Sequence, residues 1–168
     1  HGATTHAQTR DATRAAAPDA AVETSSEALG RAALDQGILA LQARRFSDAE
    51  TALREALALR PTPLTRYNLA LALRGLGRYI EAVALFDAYL AAPEDGASPA
   101  RLQAIRAEVD GLRRAVVRLT VRLHPADATL RVDGHTAHVE EGVLSLDPGT
   151  HAFDIEAPGF EPERRDLT

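Results

Sequence analysis

The sequence predicts an α+β chain of two modules. Antiparallel helical repeats of the α-α solenoid kind, two repeats plus a capping helix, precede a small all-β module. Three observations carry this. Phe46 matches Tyr79, Ala49 matches Ala82, Leu53 matches Phe86 and Ala56 matches Tyr89, all at an offset of 33 residues, and self-similarity at that period marks helical repeats. Beyond Ala115 the apolar period changes from 3.6 to 2. Charge divides at the same boundary: residues 25–114 carry 12 Arg against 11 Asp and Glu, whereas residues 115–168 carry 5 against 10.

Residues 1–24 are polar and aperiodic, which predicts a disordered tail that buries too little to offset its ordering entropy. Thr24-Ser-Ser-Glu27 has the form of a capping box, so the first helix is expected from about Ser25 to Ala43. Arg44 and Arg45 place cations at its negative end, and Ser47-Asp-Ala-Glu50 is a second capping box that opens the next helix. That helix stops before Pro61. Thr62-Pro63 starts a third, with proline where a missing N–H costs nothing, running to Gly75-Leu-Gly77. A fourth is expected over Tyr79–Ala91. Ser98-Pro99 caps a fifth, whose Leu102, Ile105, Val109 and Leu112 form one apolar stripe. The repeats therefore occupy 25–96 and the capping helix 97–114.

In 115–168, Val117, Leu119, Val121 and Leu123 alternate with polar or smaller residues as in a half-buried strand that Pro125 ends. Thr129–Asp133 is a second strand, closed by the hairpin turn signal Asp133-Gly134. Val143–Leu146 is a third. Pro148-Gly149 leads into Thr150–Glu156, where His151, Phe153 and Ile155 share a face, and Pro158-Gly159 leads to a last strand near Arg164–Thr168. A module of this size is near the lower limit for independent folding and is expected to lean on the fifth helix.

The first unit's Ala33, Gly37, Ala40, Phe46, Ala49, Leu53, Ala56 and Pro61, with the second unit's Tyr67-Asn-Leu-Ala70, Gly77, Tyr79, Ala82 and Phe86, resemble the tetratricopeptide repeat. The resemblance covers residues 30 to about 95; Ala33 lacks the family's bulky aromatic, Arg66 departs at the same position, and Pro93 falls one residue early. It implies that the first helix of each pair lines a concave surface for a peptide or partner helix. The positions implied are Arg31, Leu34, Ile38 and Leu41, then Leu64, Tyr67, Leu71 and Arg74, with Asn68 where such repeats often hold a ligand backbone but where a structural role is the favoured expectation. The expected groove is an apolar strip with arginines near its ends, suited to apolar anchors and an acidic flank. The competing reading has the strip filled from within the chain.

Arg118-Leu-Thr-Val-Arg-Leu-His-Pro125, Ala128-Thr-Leu-Arg-Val-Asp-Gly134, Leu146-Asp-Pro-Gly149 and Ala157-Pro-Gly-Phe160 resemble the PEGA domain, which implies a small β-sandwich. His135-Thr-Ala-His-Val-Glu-Glu-Gly142 replaces that family's usual segment after the Asp-Gly turn. The combination is similar to bacterial envelope proteins, so a periplasmic or envelope-associated scaffold or interaction protein is expected, with a cytoplasmic one as the other possibility. The alternative is an envelope module that binds cell-wall glycan through the β domain, where Phe153 and Phe160 are the available aromatics.

Composition narrows the function classes. The net charge of −5 removes the footprint of a nucleic-acid binder. No apolar run reaches the ~20 residues of a membrane span. The chain begins at His1 and contains no Met, which predicts a processed or trimmed product; all 19 basic residues are Arg, and there is no Cys for a thiolate site. His135-x-x-His138 with His124 and His151, or His1 with His6, are the only metal-like clusters, and the expectation is no metal and no cofactor. Glu140-Glu141 point to opposite strand faces, and no nucleophile-base pairing or phosphate loop is present, so no enzymatic reaction assembles. The expected partner is a protein or peptide.

Overall fold

The computed structural model describes the backbone from Pro18 to Thr168 and the side chains from Ser25 onward. Of the tail expected over 1–24, residues 1–17, with His1 and His6, lie outside the described residues, and 18–24 are helical, which corrects that expectation. Helix α1 runs Pro18–Gln42, so the Thr24–Glu27 box falls inside a helix and does not begin one. The sequence supplies the reason: Pro18 followed by Asp19 is itself a helix start, and the alanines behind it favour continuation through Thr24.

Helix α2 spans Phe46–Leu59, α3 Pro63–Gly75, α4 Tyr79–Ala91 and α5 Pro99–Ala115. The second capping box is also corrected. The N-cap of α2 is Arg45 with no side-chain cap, while Glu50 bonds instead to Arg54 at 2.8 Å and to Arg78 from the next repeat. The other two starts follow the sequence: Thr62 accepts from the Thr65 N–H and Ser98 from the Arg101 N–H, both at 3.2 Å, each with proline in the first turn.

Neighbouring helices pack in sequence order, α1 on α2, α2 on α3, α3 on α4 and α4 on α5. Close approach within pairs needs missing or small side chains. A Cβ on Gly37 would lie 2.4 Å from the Leu53 side chain, and one on Gly75 would lie 2.4 Å from Phe46. The core is built from buried Leu53, Leu69, Leu73, Phe86, Tyr89 and Val109 around alanines, among them Ala49, Ala56, Ala70 and Ala82. Ile105, Val109 and Leu112 seal its far end, as the stripe on α5 predicts.

Residues 117–167 form seven short strands: β1 Val117–Thr120, β2 Thr129–Val132, β3 His135–Thr136, β4 Val139–Glu140, β5 Val143–Leu146, β6 His151–Glu156 and β7 Glu163–Leu167. Two antiparallel sheets, ordered β1-β5-β4 and β3-β2-β6-β7, enclose Leu144 and Leu146 from one and Leu130, Val132 and Phe153 from the other. β3 and β4 are strands the sequence did not show. They exist because Asp133-Gly134 and Glu141-Gly142 both take positive φ, as two-residue hairpin turns require, folding His135 against Val132 and Glu140 against Val143. β1 is shorter than expected: its last rung is the Val121 N–H to the Gly142 carbonyl, where the partner strand turns away.

The helical and β cores are separate clusters. The expected lean on α5 is not the hydrogen-bonded contact; Asp147, after β5, accepts from the Ile80 N–H in the first turn of α4 at 2.9 Å.

Candidate functional site

The positions implied for the groove divide in three. Leu34 is 8% exposed and belongs to the helical core. Ile38, Leu41, Tyr67 and Leu71 are half-buried against that core. Leu64, at 39%, is the large apolar side chain of the set that is exposed. Arg31 is exposed and forms no ion pair among the described residues. Leu34 is therefore corrected from a contact residue to a packing residue, because it is buried within the helical core cluster.

Asn68 is buried and its Nδ2 donates to the Leu64 carbonyl one turn back at 2.8 Å, which commits it to the helix. Tyr67 stands against Phe86 and Tyr89, with ring centroids 5.9 and 5.3 Å away. The Arg101 guanidinium of α5 sits 4.7 Å from the Tyr67 centroid and pairs with Glu94 at 2.8 Å. Arg74 pairs with Glu108 of α5, so it is not a free groove-end cation. At the α5 end of the strip, α5 engages Tyr67 and Arg74.

The missed residues lie on α5 itself. The Thr62-Pro63 start recurs as Ser98-Pro99 36 residues on, and Leu69, Leu73 and Gly75 recur as Ile105, Val109 and Gly111. α5 packs on α4 as α3 packs on α2. It therefore occupies the position of a first helix in a third unit, and Ala100, Gln103, Ala107 and Asp110 correspond to Leu64, Tyr67, Leu71 and Arg74. All four are exposed. The signal was in the sequence, but the Pro93–Gly96 loop lengthens the spacing from 33 to 36 and hides it. The surface that results has an apolar floor at Ile38, Leu41, Leu64 and Leu71, narrows to alanine on α5, and carries Arg31 at one end, while Asp110 at the other is paired with Arg113 at 3.6 Å.

The histidines of the β module do not assemble. His135 Nδ1 is 3.0 Å from the Asp133 carbonyl, and His138 Nε2 is 3.2 Å from Glu140 at the surface. His151 is engaged at both nitrogens, Nδ1 at 2.6 Å from Asp133 Oδ2 and Nε2 at 2.7 Å from the Asp147 carbonyl. Both partners are acceptors, so the ring makes both bonds only as imidazolium. The Asp133 carboxylate, and then the Asp147 carbonyl, raise the His151 pKa; His151, and then the Ala152 N–H, lower that of Asp133. Among the described residues no three His, Cys, Asp or Glu side chains are grouped to hold a metal ion. Of the two aromatics open to a glycan, Phe153 is buried in the sandwich and Phe160 is 68% exposed. Among the described residues no helix is long and apolar enough to cross a membrane.

Residues 34–97 match the family described as Tetratricopeptide repeat, a span that opens within α1 and closes just before the Ser98 cap of α5. No curated protein and no solved structure matches the chain.

Proposed function

We propose that this chain, a tetratricopeptide repeat region joined to an antiparallel β module, is a non-enzymatic interaction protein that holds a partner peptide or helix along α1, α3 and α5. Tetratricopeptide repeats generally mediate protein–protein interactions. The observation that carries the reading is the exposed Leu64 above half-buried Ile38, Leu41 and Leu71, on a face the β module does not use for its hydrogen bond to the helices. Apolar anchors seat on that floor, and Arg31 favours an acidic group at one end.

The resemblance of residues 115–168 to an envelope-associated β domain supports a bacterial envelope setting for this scaffold. A photo-crosslinking amino acid at position 64, compared with one at Leu39 on another face of α1, tests the groove in source cells. A specific adduct at 64 that excess wild-type chain competes away supports the reading; equal labelling at both positions, or none at 64, overturns it.

A second reading rests on Phe160, the most exposed large apolar side chain among the described residues, which lies with Asp127, Glu156 and Pro158 around a shallow depression. A sugar ring stacked on Phe160 would make the β module a cell-wall glycan binder. Co-sedimentation of the chain with cell walls, lost in Phe160→Ala, would favour it; unchanged sedimentation would dismiss it.

A further inference from the structure

The two sheets of the β module are unequal, three strands facing four, and their unpaired edges β1 and β7 border the same opening. The opening is a slot of about 280 Å³ lined by Val117 and Leu119 of β1, Leu146 and Phe153 from the core, and Leu167 of β7. Val117 is 41% and Leu167 49% exposed, high values for residues whose neighbours across the sheets are Leu146 and His151. They are exposed because the shorter sheet has no strand beyond β1 to cover them.

The two edges differ in how they are guarded. β7 presents four consecutive charges, Glu163, Arg164, Arg165 and Asp166, the usual protection against strand addition. β1 and the residues after it place Val117, Leu119, Val121 and Leu123 on the inner side with no inward charge. The Val121 N–H points to β5, so by the period of two the backbone groups of Arg118, Thr120 and Arg122 point to the open edge. On the outer face Arg118 and Arg122 pair with no carboxylate among the described residues, although this module is acidic overall. Glu140, on the same face beyond β5, forms its contact with His138 instead.

We propose that β1 accepts an extended, acidic segment of a protein partner as an added strand. Its backbone pairs with Arg118, Thr120 and Arg122, its inward apolar side chains enter the slot, and its outward carboxylates meet Arg118 and Arg122. The charge pattern selects such a partner over a second copy of this chain, since antiparallel pairing of β1 with itself sets arginines against arginines. This site is separate from the helical groove.

The test uses the full chain and a capped eight-residue peptide alternating valine and glutamate. A peptide of the same composition in two blocks and one alternating valine and lysine serve as controls. Hydrogen exchange of backbone amides and methyl NMR shifts are the readouts. The expected result is slowed exchange at Arg118, Thr120 and Arg122, shifted Val117 and Leu167 methyls, and binding about tenfold tighter than the controls, the scale of two cross-strand ion pairs. Arg118→Glu with Arg122→Glu, both surface changes, should reverse the preference toward the lysine peptide, while Leu64→Glu in the groove should change nothing. Equal binding of the block peptide, protection at β7 or in the groove, or β1 protection that appears with chain concentration and no peptide would overturn it.

Discussion

The Asp147 carboxylate caps helix α4 from another module, accepting the Ile80 N–H at 2.9 Å where the local N-cap, Arg78, offers no side-chain bond. One residue thus ties a β-turn to a repeat. Asp147→Ala should destabilise the helical module by about 1 kcal/mol, the usual loss of a helix cap. It should also broaden the distance distribution between spin labels at Glu55 and Glu156. The native chain has no cysteine, so labels can be placed without background. Asp147→Asn, which keeps an acceptor oxygen, should restore most of both. An unchanged distribution in Asp147→Ala would show that the modules are held by other contacts.

The His151–Asp133 pair gives the β module a pH dependence of defined sign. His151 has a raised folded pKa, so its contribution is complete below the ordinary histidine value of about 6.5 and is lost as pH rises through the raised one. Asp133 has a lowered folded pKa, so its contribution is present above the ordinary aspartate value and is lost as pH falls through the lowered one. The thermal midpoint should therefore be highest in weakly acid solution and decline on both sides. With Asp133 half exposed, the pair is worth about 1 kcal/mol or less. A pH series on His151→Gln should lose the alkaline decline; a decline that persists would assign it to another group.

Arg44 and Gly77 end α1 and α3 in the same left-handed conformation, with φ of 57° and 79°. In each case the next residue's N–H reaches back five residues, Arg45 to Ala40 and Arg78 to Leu73. Glycine adopts that conformation without strain, so Arg44→Gly should stabilise the chain by about 0.5–1 kcal/mol, and Gly77→Ala should cost about 1 kcal/mol. Urea denaturation midpoints check both, and equal effects at the two sites would contradict the argument.

Two helical glycines should respond with opposite signs. Gly37→Ala drives a methyl into buried Leu53, for a cost of about 1–3 kcal/mol. Gly111→Ala meets nothing closer than the Arg114 guanidinium at 4.0 Å and should gain about 0.5–1 kcal/mol from helix propensity. Chemical denaturation of the two variants beside wild type decides it.

In the groove, Leu34→Asp buries an unpaired charge in the helical core and should cost about 3 kcal/mol or more. Leu64→Glu, at an exposed position, should leave far-UV circular dichroism and the thermal midpoint close to wild type. Only the second is a clean probe of binding. Loss of folding in Leu64→Glu would mean the strip is covered.

The helices were legible because their signals are local and agree with one another: Thr62-Pro63, Ser98-Pro99 and the 33-residue match each place an element to within a residue or two. The Thr24 and Ser47 boxes misled because helix starts compete. The upstream Pro18 and the turn through Arg44 set those boundaries instead. β3 and β4 escaped notice because two-residue strands have no period to read.

The candidate site was legible as a set of positions, since helix periodicity fixes which side chains share a face. Which of them are open was not. Leu34, Tyr67 and Leu64 are alike as apolar letters in one strip; the helical core buries the first and Arg101 of α5 covers the second, leaving the third exposed. The amino-acid pattern by itself determined that this chain builds helical pairs and then antiparallel strands. Tertiary structure alone decided which strip residues stay open, that Asp147 caps α4 across the modules, and that β1 is left with an uncovered edge. Each of these depends on residues far apart in sequence, whose meeting is set by packing and not by any local period.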